Sequence, residues 1–144
     1  MEQTMLARKS SITRLRRSDC PIANTLDVVG DKWSLLVVRD LLHGKKTYGE
    51  VLDSPERIPS NILAERLKRL EAAGLVVRSA YQQHPVRYAY TLTDKGLALG
   101  KILLSLVEWG KRYIPGTRTL KDSAAVSKQG PRSATNRAEL KRTR

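Results

Sequence analysis

The segment IPSNILAERLKRLEAAGLV, residues 58–76, decides the fold. On a wheel of 100° per residue, Leu63, Leu67 and Leu70 fall together and must face a core. Asn61, Glu65, Lys68 and Ala72 fall opposite, flanked by Ala64 and Arg69, while Ile62, Arg66 and Ala73 lie on the border. Ser60 is placed to cap this helix and Gly74 to end it. The outward face carries an amide, an acid, a base and small side chains, and its N-terminal end leads. Such a face suits a helix that reads base edges. Asn can bond an adenine bidentately, Glu can accept from a cytosine amino group, and Lys can reach guanine or phosphate. An ordinary solvated face stays open beside it, with Glu65 and Arg69 forming an i,i+4 ion pair worth ~0.3 kcal/mol.

Working outward, LVVRSAY (75–81), a turn-prone QQHP (82–85) and VRYAYTLT (86–93) follow. Val86, Tyr88, Tyr90 and Leu92 alternate with Arg87, Ala89 and Thr91, the pattern of a strand with one buried face. Upstream, a short helix runs from about Thr47 to Asp53, and Ser54-Pro55 breaks it. A short helix, a brief loop, a longer helix and a hairpin make a winged helix-turn-helix. The polar hairpin tip brings Gln83 and His84, with Arg87 just past it, to where a wing enters a minor groove. Lys45 and Lys46, before the short helix, are placed for phosphates, which position a protein without specifying sequence. With Ser60, Asn61, Ala64, Glu65, Lys68 and Arg69 they complete the candidate DNA-binding set.

Two outer segments frame this unit. Pro21 opens a helix carrying Ile22, Leu26 and Val29 until Gly30. Asp31 caps a second helix, from Trp33 to Leu42, which His43-Gly44 closes. After the hairpin, Thr93 caps one long helix from Asp94 to about Tyr113. Leu97, Leu99, Ile102, Leu103, Leu104, Leu106, Val107 and Trp109 cover more of it than one stripe. One side then packs on its own domain and the other on a second subunit. The expected interface is Ile22, Leu26, Leu99, Ile102, Leu103, Leu106 and Trp109; a thicker monomer core is the alternative. The fold class expected is α+β and mainly helical, a winged helix-turn-helix with a two-stranded wing and an additional C-terminal dimerisation helix. A twofold dimer would set two recognition helices about 34 Å apart and favour a palindromic operator.

The formal charge of +13 favours polyanionic partners. It sits mainly at the ends: residues 1–19 carry +3, residues 117–144 carry +6, and the 97 residues between carry only +4. The chain therefore divides into a basic N-terminal arm (1–19), a domain (20–116) and a basic tail (117–144) expected to be disordered. The single cysteine, Cys20, excludes an intrachain disulfide and fits a reducing compartment. Neither a membrane span nor a secretory signal is expected, which makes the cytoplasm, at the nucleoid, the expected location. His43 and His84 lack metal-ligand spacing, and His43 is placed to interact with its own helix C-terminus. With no nucleophile elbow, phosphate-cradling glycine loop or paired carboxylates, neither an enzyme nor a cofactor or metal is expected.

CPI (20–22), GDKWSLLVVRDLLHG (30–44), TYGEVL (47–52), the 58–76 segment, YAYTLTDKG (88–96) and LVEWG (106–110) together resemble the HxlR branch of the MarR-like regulators. The resemblance spans about residues 20–113. It implies a winged-helix homodimer built through the first and last helices, acting as a transcriptional repressor or activator on double-stranded DNA. It further implies that Ser60 to Ala73 is the recognition helix and that the strands around His84 are the wing. Ala89 departs from it, since the family often has an acid there. Some members sense electrophiles or oxidants through a cysteine at the position of Cys20, and Arg16 and Arg17 stand near enough in sequence to favour its thiolate. A buried structural cysteine is the other reading. Two further functions stay open: non-specific nucleic-acid binding driven by the basic tails, and an interaction module whose winged helix binds protein.

Overall fold

A computed structural model describes residues 17–119. The basic arm and tail, apart from residues 17–19 and 117–119, lie outside the described residues. Eight elements follow in order: α1 (Pro21–Val29), α2 (Ser34–Leu42), α3 (Tyr48–Leu52), α4 (Ser60–Ala72), β1 (Val76–Gln83), β2 (Val86–Leu92), α5 (Asp94–Leu97) and α6 (Gly100–Tyr113). The described residues up to Leu103 form one compact unit and those from Leu104 a second, with the division inside α6.

The first unit is built around α4. Leu63, Leu67 and Leu70 bury their side chains against Val37, Val38 and Leu41 of α2, Val51 of α3, and Leu75 and Val76 at the start of the hairpin. Each fully buried aliphatic side chain contributes about 1.5–3 kcal/mol. Gly74, with φ +73°, turns the chain from α4 into β1, and Gly44, with φ +96°, turns it out of α2. His43 Nδ1 donates to the Arg39 carbonyl at 2.7 Å, closing its own helix end as expected.

Local capping departs from the sequence reading at α4. Its N-cap is Pro59, Ser60 is its first helical residue, and no side chain caps it. Proline is well suited there because its φ of −58° leads into the helix without needing an N–H. At α3, by contrast, a full capping box forms. Thr47 Oγ1 accepts from the Glu50 amide at 3.2 Å, and Glu50 accepts from the Thr47 amide at 3.1 Å and the Lys46 amide at 2.6 Å. These amide bonds hold the Glu50 carboxyl below its ordinary value.

The hairpin is a two-stranded antiparallel sheet pairing Val76 with Leu92 and Gln83 with Val86. Gln82 and Gln83, expected in the turn, extend β1, so the tip is only His84 and Pro85. The expected alternation on β2 holds only near its base. Val86 is exposed at the tip, and Ala89 is half-buried because Thr47 bridges to it while the Tyr90 amide donates to the Lys46 carbonyl at 2.7 Å. The residues before α3 thus lie along β2 like a short third strand.

The long final helix expected from Asp94 is two helices. Thr93 caps α5 as expected, with Oγ1 accepting from the Gly96 amide at 3.1 Å. The Leu99 amide then bonds the Gly96 carbonyl three residues back, a tightened turn that ends α5. Gly96 and Gly100 flank the break, and glycine is a weak helix former. Gly96 is required by packing, since a Cβ there would stand 2.1 Å from the Leu75 carbonyl oxygen.

Candidate nucleic-acid interface

The outward face of α4 is held by three attachments. Its leucines anchor it from beneath. At its N-terminal end, the Tyr48 hydroxyl of α3 donates to the Ser60 carbonyl at 2.6 Å. At mid-length, Arg66 Nε donates to Asp31 Oδ2 at 2.7 Å. That carboxylate also accepts from the Trp33 and Ser34 amides at 3.0 and 3.1 Å and from the Ser34 hydroxyl, so Asp31 caps the turn leading into α2. Burial opposes its charge, but the bonds from Ser34, Arg66 and the two amides prevail and hold it well below the usual carboxylate range.

The two faces of α4 sort as the wheel requires. Asn61, Ala64, Glu65, Lys68, Arg69 and Ala72 are exposed, and Ile62 and Arg66 on the border are half-buried. Glu65 pairs with Arg66 at 2.5 Å and not with Arg69, so the anticipated i,i+4 pair does not form. Lys68 and Arg69 have no acidic partner among the described residues.

A polar cluster fixes the turn between α3 and α4. Asp40 of α2 is buried, its side chain 2% exposed, and accepts from the Ser54 hydroxyl and from Arg39 Nη2 at 2.8 Å. Arg39 also grips Glu56 through two bonds, at 2.7 and 2.8 Å. Glu56 raises the Arg39 pKa above its ordinary value, and Arg39 lowers that of Glu56. Lys45 belongs to this cluster. Its Nζ donates to Ser54 Oγ at 2.7 Å and lies 3.8 Å from Asp40. Lys45, expected at a phosphate, is thus half-buried with its ammonium drawn toward a buried carboxylate. Lys46 is exposed, with its backbone pinned by Glu50.

Gln83, His84 and Arg87 are exposed around the hairpin tip. At the hairpin base, the Arg78 guanidinium stacks 4.4 Å from the Tyr88 ring centroid and lies 3.5 Å from Glu71 of α4. Helix α4 and the hairpin are therefore linked by side chains as well as by the three-residue connection Ala73 to Leu75. That link was missed from sequence, although an Arg and a Tyr on adjacent strands are a stacking signal.

Cys20 is exposed at the N-cap of α1. Arg17 pairs with Asp27 at 2.6 Å and donates to the Ala23 carbonyl at 3.3 Å, so it is not turned to the thiol as expected. Arg16 lies outside the described residues. Of the expected interface residues, Ile22 and Leu26 on α1 are 71% and 54% exposed. In α6, Ile102, Leu106 and Trp109 are exposed, with the Trp109 ring 5.4 Å from that of Tyr113. Leu99 and Leu103 are half-buried against their own unit's core.

Residues 28–118 match the family described as HxlR-like helix-turn-helix. The chain belongs to that family. It is 34% identical over 94 residues to the uncharacterised HTH-type transcriptional regulator YdeP of Bacillus subtilis, covering 65% of this chain and 73% of that one. It is 37% identical over 95 residues to YybR of the same organism, covering 66% and 76%. Among solved structures it is similar to the redox regulator HypR in its reduced form, with TM-score 0.60, 36% identity and coverage of 65% and 92%. It is also similar to the reduced form of the transcriptional regulator YodB from B. subtilis, with TM-score 0.56, 30% identity and coverage of 70% and 100%. The HxlR-type chain is thus a helix-turn-helix transcriptional regulator, with α3 and α4 as the helix pair and β1–β2 as the wing. Among the described residues no helix is long and apolar enough to cross a membrane, and no group of His, Cys, Asp and Glu could hold a metal.

Proposed function

We propose that the protein acts as a homodimer on a palindromic DNA operator, with α4 in the major groove and the wing beside an adjacent minor groove. The observation that carries this reading is the outward face of α4, where Asn61, Ala64, Glu65, Lys68 and Arg69 stand exposed on a helix fixed by Arg66–Asp31 and Tyr48–Ser60. Asn61 and Glu65 address base edges, and Ala64 lets the helix approach closely. Lys46, Lys68 and Arg69 address phosphates, and Gln83, His84 and Arg87 address the minor groove. Exposed Ile22 and Leu26, and separately Leu106 and Trp109, supply the apolar surface for a second copy. Cys20, exposed at the start of α1, is assigned as the point where an oxidant or electrophile acts; a redox regulator is among the proteins to which the chain is similar.

Selection of random duplexes by the full-length protein, with and without oxidant, tests this. Enrichment of a palindrome, lost on oxidation but retained in oxidised Cys20→Ser, is expected. Absence of any motif, with binding lost when residues 117–144 are removed, favours tail-driven non-specific binding instead.

A further inference from the structure

Arg57 occupies the turn that delivers the chain into α4, and its backbone has φ +53°. This is the left-handed region, which glycine enters freely and other residues enter at a cost. The conformation is imposed from both sides. Upstream, the Arg57 amide donates to the Ser54 carbonyl at 3.0 Å, and Ser54 is itself bonded to buried Asp40. Glu56, immediately before, is gripped by Arg39. Downstream, Ile58 is buried in the core and Pro59 opens the helix. The turn would keep this shape with glycine at position 57, and would be less strained.

What arginine adds is an exposed guanidinium without a hydrogen-bond or ion-pair partner among the described residues. The carboxylates of the turn leave it available. Glu56 is neutralised by Arg39, and Asp53 makes no ion pair with it. The side chain starts three residues before Ser60, beside the end of α4 that leads into the groove.

We propose that Arg57 is a phosphate-contacting residue, clamping the DNA backbone next to the N-terminus of the recognition helix. The inference rests on the assignment of α4 as the DNA-reading helix. The fixed turn suits this work, because it sets where the side chain leaves the backbone, so that only the rotamers of the arginine itself are ordered on binding.

The test pairs stability with salt dependence in the full-length chain. The probe is a mixed-sequence duplex of about two helical turns, titrated between about 50 and 200 mM salt. Arg57→Gly is expected to keep or raise Tm, by about 2–5 °C, because strain is relieved. The same variant is expected to lower the slope of log K against log salt by about 0.9 per subunit. Arg57→Lys is expected to keep the slope. An Arg57→Gly slope equal to wild type overturns the proposal, as does a clear fall in Tm, which would give the side chain a structural role. An Arg57→Lys slope as low as that of Arg57→Gly overturns it too. Wild-type binding that does not weaken with salt overturns the DNA reading of α4 as a whole, an outcome distinct from failure at Arg57 alone.

Discussion

Arg66 and Asp31 stand 35 residues apart in sequence, yet the Arg66 Nε lies 2.7 Å from Asp31 Oδ2. One carboxylate thereby caps the entry to α2 and fixes the roll of α4 about its axis. The border residue of α4 is committed inward, which leaves the outward face to Asn61, Ala64, Glu65 and Lys68.

The first prediction concerns pH. The Asp31 carboxyl titrates lower in the folded than in the unfolded chain, so its stabilisation is complete above the ordinary carboxylate range and is lost as pH falls through and below it. Asp31→Asn keeps a capping oxygen but removes the charge paired with Arg66, and is expected to cost about 1 kcal/mol at pH 7. It is also expected to flatten the fall of Tm between about pH 5 and 2. Thermal unfolding of both proteins across that range checks it. Equal Tm differences at every pH would show that the charge of Asp31 is not what holds the two helices.

Lys45→Ala separates structure from binding. Loss of the ammonium leaves Asp40 with fewer partners and is expected to cost about 1 kcal/mol of stability. Its salt slope for DNA is expected to stay at the wild-type value, whereas Lys46→Ala should lower it by about 0.9 per subunit. Chemical denaturation and salt titration of the two variants give the comparison.

How far the site was legible depends on the range of the interaction that fixes each part. The faces of α4 could be read because 3.6-residue periodicity is local, and burial of Leu63, Leu67 and Leu70 follows it. The inward commitment of Arg66 and Lys45 could not, since each depends on an acid brought close only by the fold. The division of the final helix was signalled by Gly96 and Gly100, but the contact between Gly96 and the Leu75 carbonyl that requires the first glycine is tertiary. Arg57 was passed over because nothing in its neighbours announces a positive φ; buried Ser54 and Ile58 impose it. The capping box of Thr47 and Glu50 was legible in the T-x-x-E spacing and was missed.

The dimer assignment predicts that Leu106→Glu, at an exposed apolar position, yields a folded monomer. Sedimentation is expected to show half the wild-type mass, with Tm measured at matched protein concentration because assembly itself stabilises. A wild-type chain that sediments as a monomer would contradict the dimer and, with it, recognition of a palindrome.

At the wing, Arg87→Ala is expected to reduce preference for narrow-groove A·T flanks beside the half-site while leaving discrimination inside it intact. Binding to duplexes that differ only in those flanks reads this out. Unchanged flank preference would place Arg87 on a phosphate or in solvent.

If the exposed face of α4 reads bases, Asn61 at its leading end contacts one base of each half-site. Affinities of wild type and Asn61→Ala are measured for the selected operator and for each single-base variant of one half-site. Discrimination is expected to collapse at one position per half-site, by about 1–3 kcal/mol, with the other positions unchanged. A uniform loss across all variants would contradict it, because that is how a phosphate contact behaves, and α4 would then lie along the backbone instead of in the groove.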